Sequence, residues 1–69
     1  MIAAYSEEED KLILINGAGT INHETVEHSN HITVDYNEDG LPSMIEVSDA
    51  SIFFKLPKNV LKKFVDISD

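Results

Sequence analysis

Sixty-nine residues, with no cysteine and no arginine, carry thirteen acidic side chains against five basic ones, a net charge of −8. A chain this short buries only about 60% of its unfolded surface, and without cysteine it has neither disulfides nor thiolate metal sites. The negative charge and missing arginine weigh against nucleic acid and anionic membranes as partners, no apolar run nears the ~18 residues of a membrane span, and MIAAY lacks the basic start of a signal peptide, so the expectation is one cytoplasmic domain over 1–69.

Met1–Tyr5 is apolar enough for an edge or terminal strand, and Ser6-Glu7-Glu8-Glu9-Asp10 follows as a solvated turn. Lys11–Ile15 (KLILI) holds four apolar residues in sequence, half of them β-branched, which predicts a central strand with both faces covered. Gly17-Ala18-Gly19 supplies a flexible turn. Thr20–His28 reads as a more polar strand, and Ser29-Asn30 as a two-residue hairpin loop. His31–Tyr36 alternates, with Ile32, Val34 and Tyr36 on one face and His31, Thr33 and Asp35 on the other. Asn37-Glu38-Asp39-Gly40 makes the next turn, and Leu41–Val47 returns with Ile45 and Val47 opposite Met44 and Glu46.

Residues 49–56 form a connector in which SIFFK reads equally as a helical turn, capped by Ser48 or Asp49, or as a strand. From Pro57 the period changes. Val60, Leu61, Phe64 and Val65 fall on one stripe at helical spacing, which predicts an amphipathic helix over 57–67. The expected architecture is α+β: a small antiparallel meander over 1–48, of four to five strands, with the C-terminal helix packed on one face.

The segment DYNEDGLPSMIE, residues 35–46, fits the calcium-loop pattern D-x-[DN]-x-[DN]-G-x5-E. Such a loop sits between helices, whereas strand patterns flank this one. As a strand, 41–46 carries Glu46 roughly 15–20 Å from the turn at ~3.3 Å per residue. A hairpin turn is therefore the reading, with weak cation binding by Asp35, Asn37 and Asp39 as an alternative. His28 and His31, placed opposite each other by a two-residue loop with Cβ atoms ~5 Å apart, offer two imidazole ligands, to which Glu27 or His23 adds a third. Exposed histidines beside a turn are the plainer reading. There is no cysteine nucleophile, no G-x-S-x-G elbow and no glycine-rich phosphate loop, so neither catalysis nor a cofactor is expected.

Charge is unevenly placed. Residues 1–50 hold eleven acids and one lysine, net −10, and residues 51–69 hold two acids and four lysines, net +2. One helix covers one face of a sheet, which leaves Leu12, Leu14, Met44, Phe53 and Phe54 as a candidate interaction surface. Two functional readings follow. In one, the protein is a non-enzymatic interaction module steered toward a basic protein. In the other, it is a structural homo-oligomer whose basic helix docks on a neighbour's acidic sheet.

Tyr5, Asp10 with Leu12 and Ile13, then Val34-Asp35-Tyr36-Asn37, Gly40, Ile45-Glu46-Val47 and Ala50-Ser51 stand in a familiar order across residues 5 to 51. In this the chain resembles the family of short proteins known as domain of unknown function 2283. Asn37 stands where that family more often has aspartate, and the flanking His28 and His31 also depart from its pattern. The resemblance implies a small β-rich fold, no established activity, and an antitoxin-like role opposite a small toxin; it carries over no catalytic residue.

Overall fold

Strands and two short helices follow one another in the computed structural model, which describes residues 2–17 and 22–67. The strands are β1 (Ile2–Ser6), β2 (Lys11–Ile15), β3 (Glu24–Glu27), β4 (Ile32–Tyr36) and β5 (Pro42–Ser48). The helices are α1 (Ala50–Phe54) and α2 (Lys58–Ile67). The α+β architecture is the one the side-chain periods predict. The expected turn at Gly17-Ala18-Gly19 and the start of the strand expected from Thr20 lie outside the described residues, Gly17 apart.

All pairings are antiparallel, in the order β1-β2-β5-β4-β3. The meander β3-β4-β5 thus docks through its last strand onto the β1-β2 hairpin, and β5 becomes the centre of the sheet. The four-residue ETVE strand, the most polar of the five, takes an edge, where charged side chains discourage further pairing. Pro42 opens β5, a strand position that tolerates a missing amide donor. A bulge between Asp35 and Tyr36 shifts the β4–β5 register there.

Register sorts the side chains cleanly. One face carries Tyr5, Leu12, Val47 and Ile32 in one row, and Ala3, Leu14, Ile45, Val34 and Val26 in the next. The helices cover the first row. Tyr5, Leu12, Val47, Ala50 and Leu61 form the buried cluster, with Ile32, Ile45 and Val65 against it. Burying Leu61 contributes about 1.5–3 kcal/mol to holding α2 on the sheet. The SIFFK segment resolves as helix, not strand, because α1 ends in a Schellman motif. Leu56 N–H reaches Ser51 O at 3.0 Å and Lys55 N–H reaches Ile52 O at 3.2 Å, with Lys55 left-handed at φ 56°.

Neither Ser48 nor Asp49 caps α1 with its side chain; Asp49 is itself left-handed, at φ 51°. The cap comes from Asp10, forty-one residues before Ser51. Its carboxylate accepts the Ser51 backbone N–H at 3.0 Å and the Ser51 hydroxyl at 2.6 Å, while its carbonyl accepts Ala50 N–H at 2.9 Å. The Tyr5 hydroxyl donates to the same carboxylate. Asp10 is only 8% exposed. Burial alone would push its carboxyl pKa up, but the hydrogen bonds from Ser51 and Tyr5, and the charge of Lys58, outweigh burial and hold it below its ordinary value. Burial and the bonded carboxylate push the Tyr5 hydroxyl the other way, to about 12.

Asp10→Ala is expected to lower stability by about 2–3 kcal/mol, since it strips charge-assisted bonds and the α1 cap together. The folded pKa of Asp10 lies below its unfolded value, so its contribution is complete above an unfolded pKa of about 4 and is lost as pH falls through the folded one. Urea melts from pH 7 to pH 3 test both points: wild type loses stability over the acid range, and Asp10→Asn starts lower and loses less.

Candidate functional site

Around residues 35–40 the structure builds a turn from side-chain oxygen. Gly40 N–H reaches Asn37 O at 3.0 Å, Asn37 N–H reaches Leu41 O at 2.9 Å, and Gly40 is left-handed at φ 79°. This is the three-residue hairpin that ends in a glycine bulge. Asn37 is 4% exposed, and its Oδ1 accepts the amides of Asp39 and Leu41 at 2.9 and 3.0 Å. That oxygen is turned into the loop. Asp35 points across the sheet to the Thr25 hydroxyl at 2.7 Å. Glu46 lies within β5, 2.9 Å from the Lys11 ammonium. The twelve residues of the calcium pattern are thus distributed over a turn and two strands. Asn37 in place of an acid is a neutral, well-shaped acceptor for two backbone amides.

The histidines do not face one another, contrary to the reading from a two-residue loop. Ser29 Oγ accepts the amides of His31 and Ile32, both at 3.2 Å, and His28 N–H reaches Ile32 O at 2.9 Å. The loop therefore holds Ser29, Asn30 and His31, and His28 pairs with Ile32. A one-residue change of register moves a side chain to another surface. His28 Nε2 lies 2.7 Å from the Tyr36 hydroxyl on the face of Val26 and Val34. His31 stands at the β5–α1 junction, with Nδ1 3.6 Å from Asp49 Oδ2 and its ring 5.8 Å from that of Phe53. Among the described residues no three His, Asp or Glu side chains gather as a metal site.

The apolar candidates separate in the same way. Leu12 is buried under the helices and belongs to the core, not to the expected interaction surface. Leu14 shares its face, whereas Met44, through its pairing with Ile15, projects from the opposite one. Phe53 and Phe54 are exposed, their rings edge to face at 5.1 Å. They belong to a larger surface that the sequence reading missed. Ile52 and Phe64, each 70% exposed, join Phe53, Phe54, Leu56 and Val60 on the outside of the helical layer. Phe54, Leu56, Leu61 and Phe64 line an apolar depression of about 210 Å³ between the two helices.

Half of the helical stripe therefore faces inward, through Leu61 and Val65, and half faces out. Two features of the sequence carry this signal. Ile52-Phe53-Phe54 puts three consecutive large apolar residues on a single helical turn, which has only one inner side. The stripe at 60, 61, 64 and 65 is likewise wider than one sheet contact. Lys55 closes α1, and Lys63 lies three residues from Val60, so lysines border the exposed patch. Comparison of the chain with protein-family models, curated proteins and solved structures finds no match. No helix among the described residues is long and apolar enough to cross a membrane.

A turn held by Asn37 behaves differently from a cation loop when mutated. Asn37→Ala leaves two amides without their acceptor and is expected to cost about 1–3 kcal/mol, while Asp39→Ala changes stability by less than about 0.5 kcal/mol. Thermal melts with calcium and with chelator check this: equal melting temperatures in both are the expected result, and a calcium-dependent rise that Asp39→Ala abolishes would contradict it.

Proposed function

We propose that the protein is a small protein-interaction module without catalytic machinery, and that it works through the outer face of α1 and α2. One observation carries this reading. Six large apolar side chains stand 39–70% exposed on the helical layer, and three of them, Phe54, Leu56 and Phe64, line one depression. Together they offer on the order of 500 Å², the upper end of what a monomeric protein leaves open. Aromatic anchors around an apolar depression are the usual centre of a protein interface. The bordering lysines favour a partner whose own apolar patch is edged by acid.

A second reading keeps the antitoxin-like antagonism of a small basic protein that the family resemblance implies. Its support is an open depression of about 510 Å³ at the far end of the sheet, lined among others by Glu24, Glu38 and Asp39. Membership of the domain of unknown function 2283 family belongs to the same proposal. Tyr5, Asp10, Ala50 and Ser51, which carry the resemblance, are the residues that tie the helices to the sheet. Relatives sharing them would share the scaffold and differ in the surface it displays.

Phe64→Glu and Ile52→Glu replace side chains that make little contact in the fold, so stability is expected to stay within about 0.5 kcal/mol. Binding of any protein that wild type retains is expected to weaken at least about tenfold. Unchanged binding by both variants, measured by calorimetry or surface plasmon resonance, would sink the helical reading. Loss of binding in Glu38→Lys with Asp39→Lys, and steep weakening by salt, would instead favour the acidic end.

A further inference from the structure

We infer that the occupant of the helical face is a second copy of this chain, received on the open face of its sheet in a head-to-tail contact. The inference rests on the interaction-module reading and names its partner. The sheet face away from the helices has two halves. Ile2, Ile15 and Met44 lie in one row with Asp35 and Thr25, and Ala4 and Ile13 lie in the next with Glu46, Thr33 and Glu27. One half is thus an apolar corner, and the other is edged by Asp35, Glu46 and Glu27, with the Lys11–Glu46 pair alone to offset the acid among the described residues. Ile2 and Ile15 are exposed there. Among the described residues no element lies over this face, since both helices occupy the other side.

Among the described residues, two apolar surfaces therefore stand uncovered on opposite sides of the sheet, and their borders carry opposite charge. The helical segment has a net charge of +2 and the rest of the chain −10. Helix against helix would bring Lys55 and Lys63 toward their own counterparts, and sheet against sheet would oppose Asp35 and Glu27 to theirs. Helix against sheet pairs unlike charges and covers both apolar surfaces.

Surface area points the same way. A folded monomer of this mass exposes roughly 4,300 Å², whereas this chain exposes 4935 Å² and is only 16 Å across its thinnest axis. The excess, on the order of 600 Å², leaves this chain with more open surface than a monomer of its mass. A head-to-tail contact is heterologous, so it closes into a ring or extends as a chain.

Two variants separate the arrangements: Phe64→Glu disables the helical surface, and Ile15→Glu disables the sheet surface. Ile2→Glu serves if Ile15→Glu fails to fold by circular dichroism. In sedimentation experiments from micromolar to millimolar concentration, wild type is expected to assemble beyond a dimer, more weakly as salt is raised. Each variant alone is expected to remain a monomer, with association reduced at least tenfold. An equimolar mixture is expected to form a one-to-one dimer and nothing larger, because one intact helical surface then meets one intact sheet surface. Dimerisation of either variant by itself, or a mixture that stays monomeric, overturns the head-to-tail contact. A monomeric wild type whose binding to another protein is lost in Phe64→Glu overturns the second copy but leaves the interaction module standing. If Phe64→Glu alters neither self-association nor any binding, the module reading itself fails.

Discussion

The Asp10 carboxylate is the point through which the two layers of this small fold are joined. It stands at the start of β2 in a left-handed turn, φ 52°, and gathers donors from β1 and α1. An ionised carboxylate in a site this enclosed is stable only when its oxygens are bonded, and here Tyr5 and Ser51 supply the protons. In return, α1 starts at one defined place, and the sheet presents Tyr5, Leu12 and Val47 beneath it. Leu61 then closes the cluster from α2. With so few buried apolar side chains, a misplaced helix would leave little core at all.

Such economy has a consequence for the surface. Two short helices are laid on a five-stranded sheet, and they cover one row of one face. Their outer sides, and the apolar corner of the opposite sheet face, have no partner within the described residues. A chain of this size has too few residues to bury both. Its charge follows the same division, with acid spread over the sheet and turns and lysine concentrated on the helices. Apolar area and charge asymmetry are thus two results of the same partition of the chain.

Local pattern carried much of this architecture. KLILI matches β2 residue for residue, though its Ile15 face is open where both faces were expected to be covered, and the alternation of ITVDY places Ile32, Val34 and Tyr36 on one face as the structure does. The turn at Asn37–Gly40 was also readable, because Asn, Asp and Gly have few other places to go beside a strand. The hairpin between β3 and β4 was not. Whether two residues or three close it depends on Ser29 taking two amides, and that single hydroxyl decides that His28 meets Tyr36 and His31 meets Asp49. Nothing in the letters of HSNH distinguishes the two registers.

By itself, then, the sequence determined the periods: where side chains alternate, where they turn to helical spacing, and that acid and lysine fall in separate segments. Backbone geometry makes those properties local, so they are legible without the fold. Tertiary structure alone decided which strand lies beside which, that Asp10 and not Asp49 caps α1, and that Leu12 is core while Phe64 is surface. Each of these depends on residues distant in the chain meeting in space. A helical stripe records that apolar side chains share a face; only the extent of the sheet beneath it sets how many of them are covered.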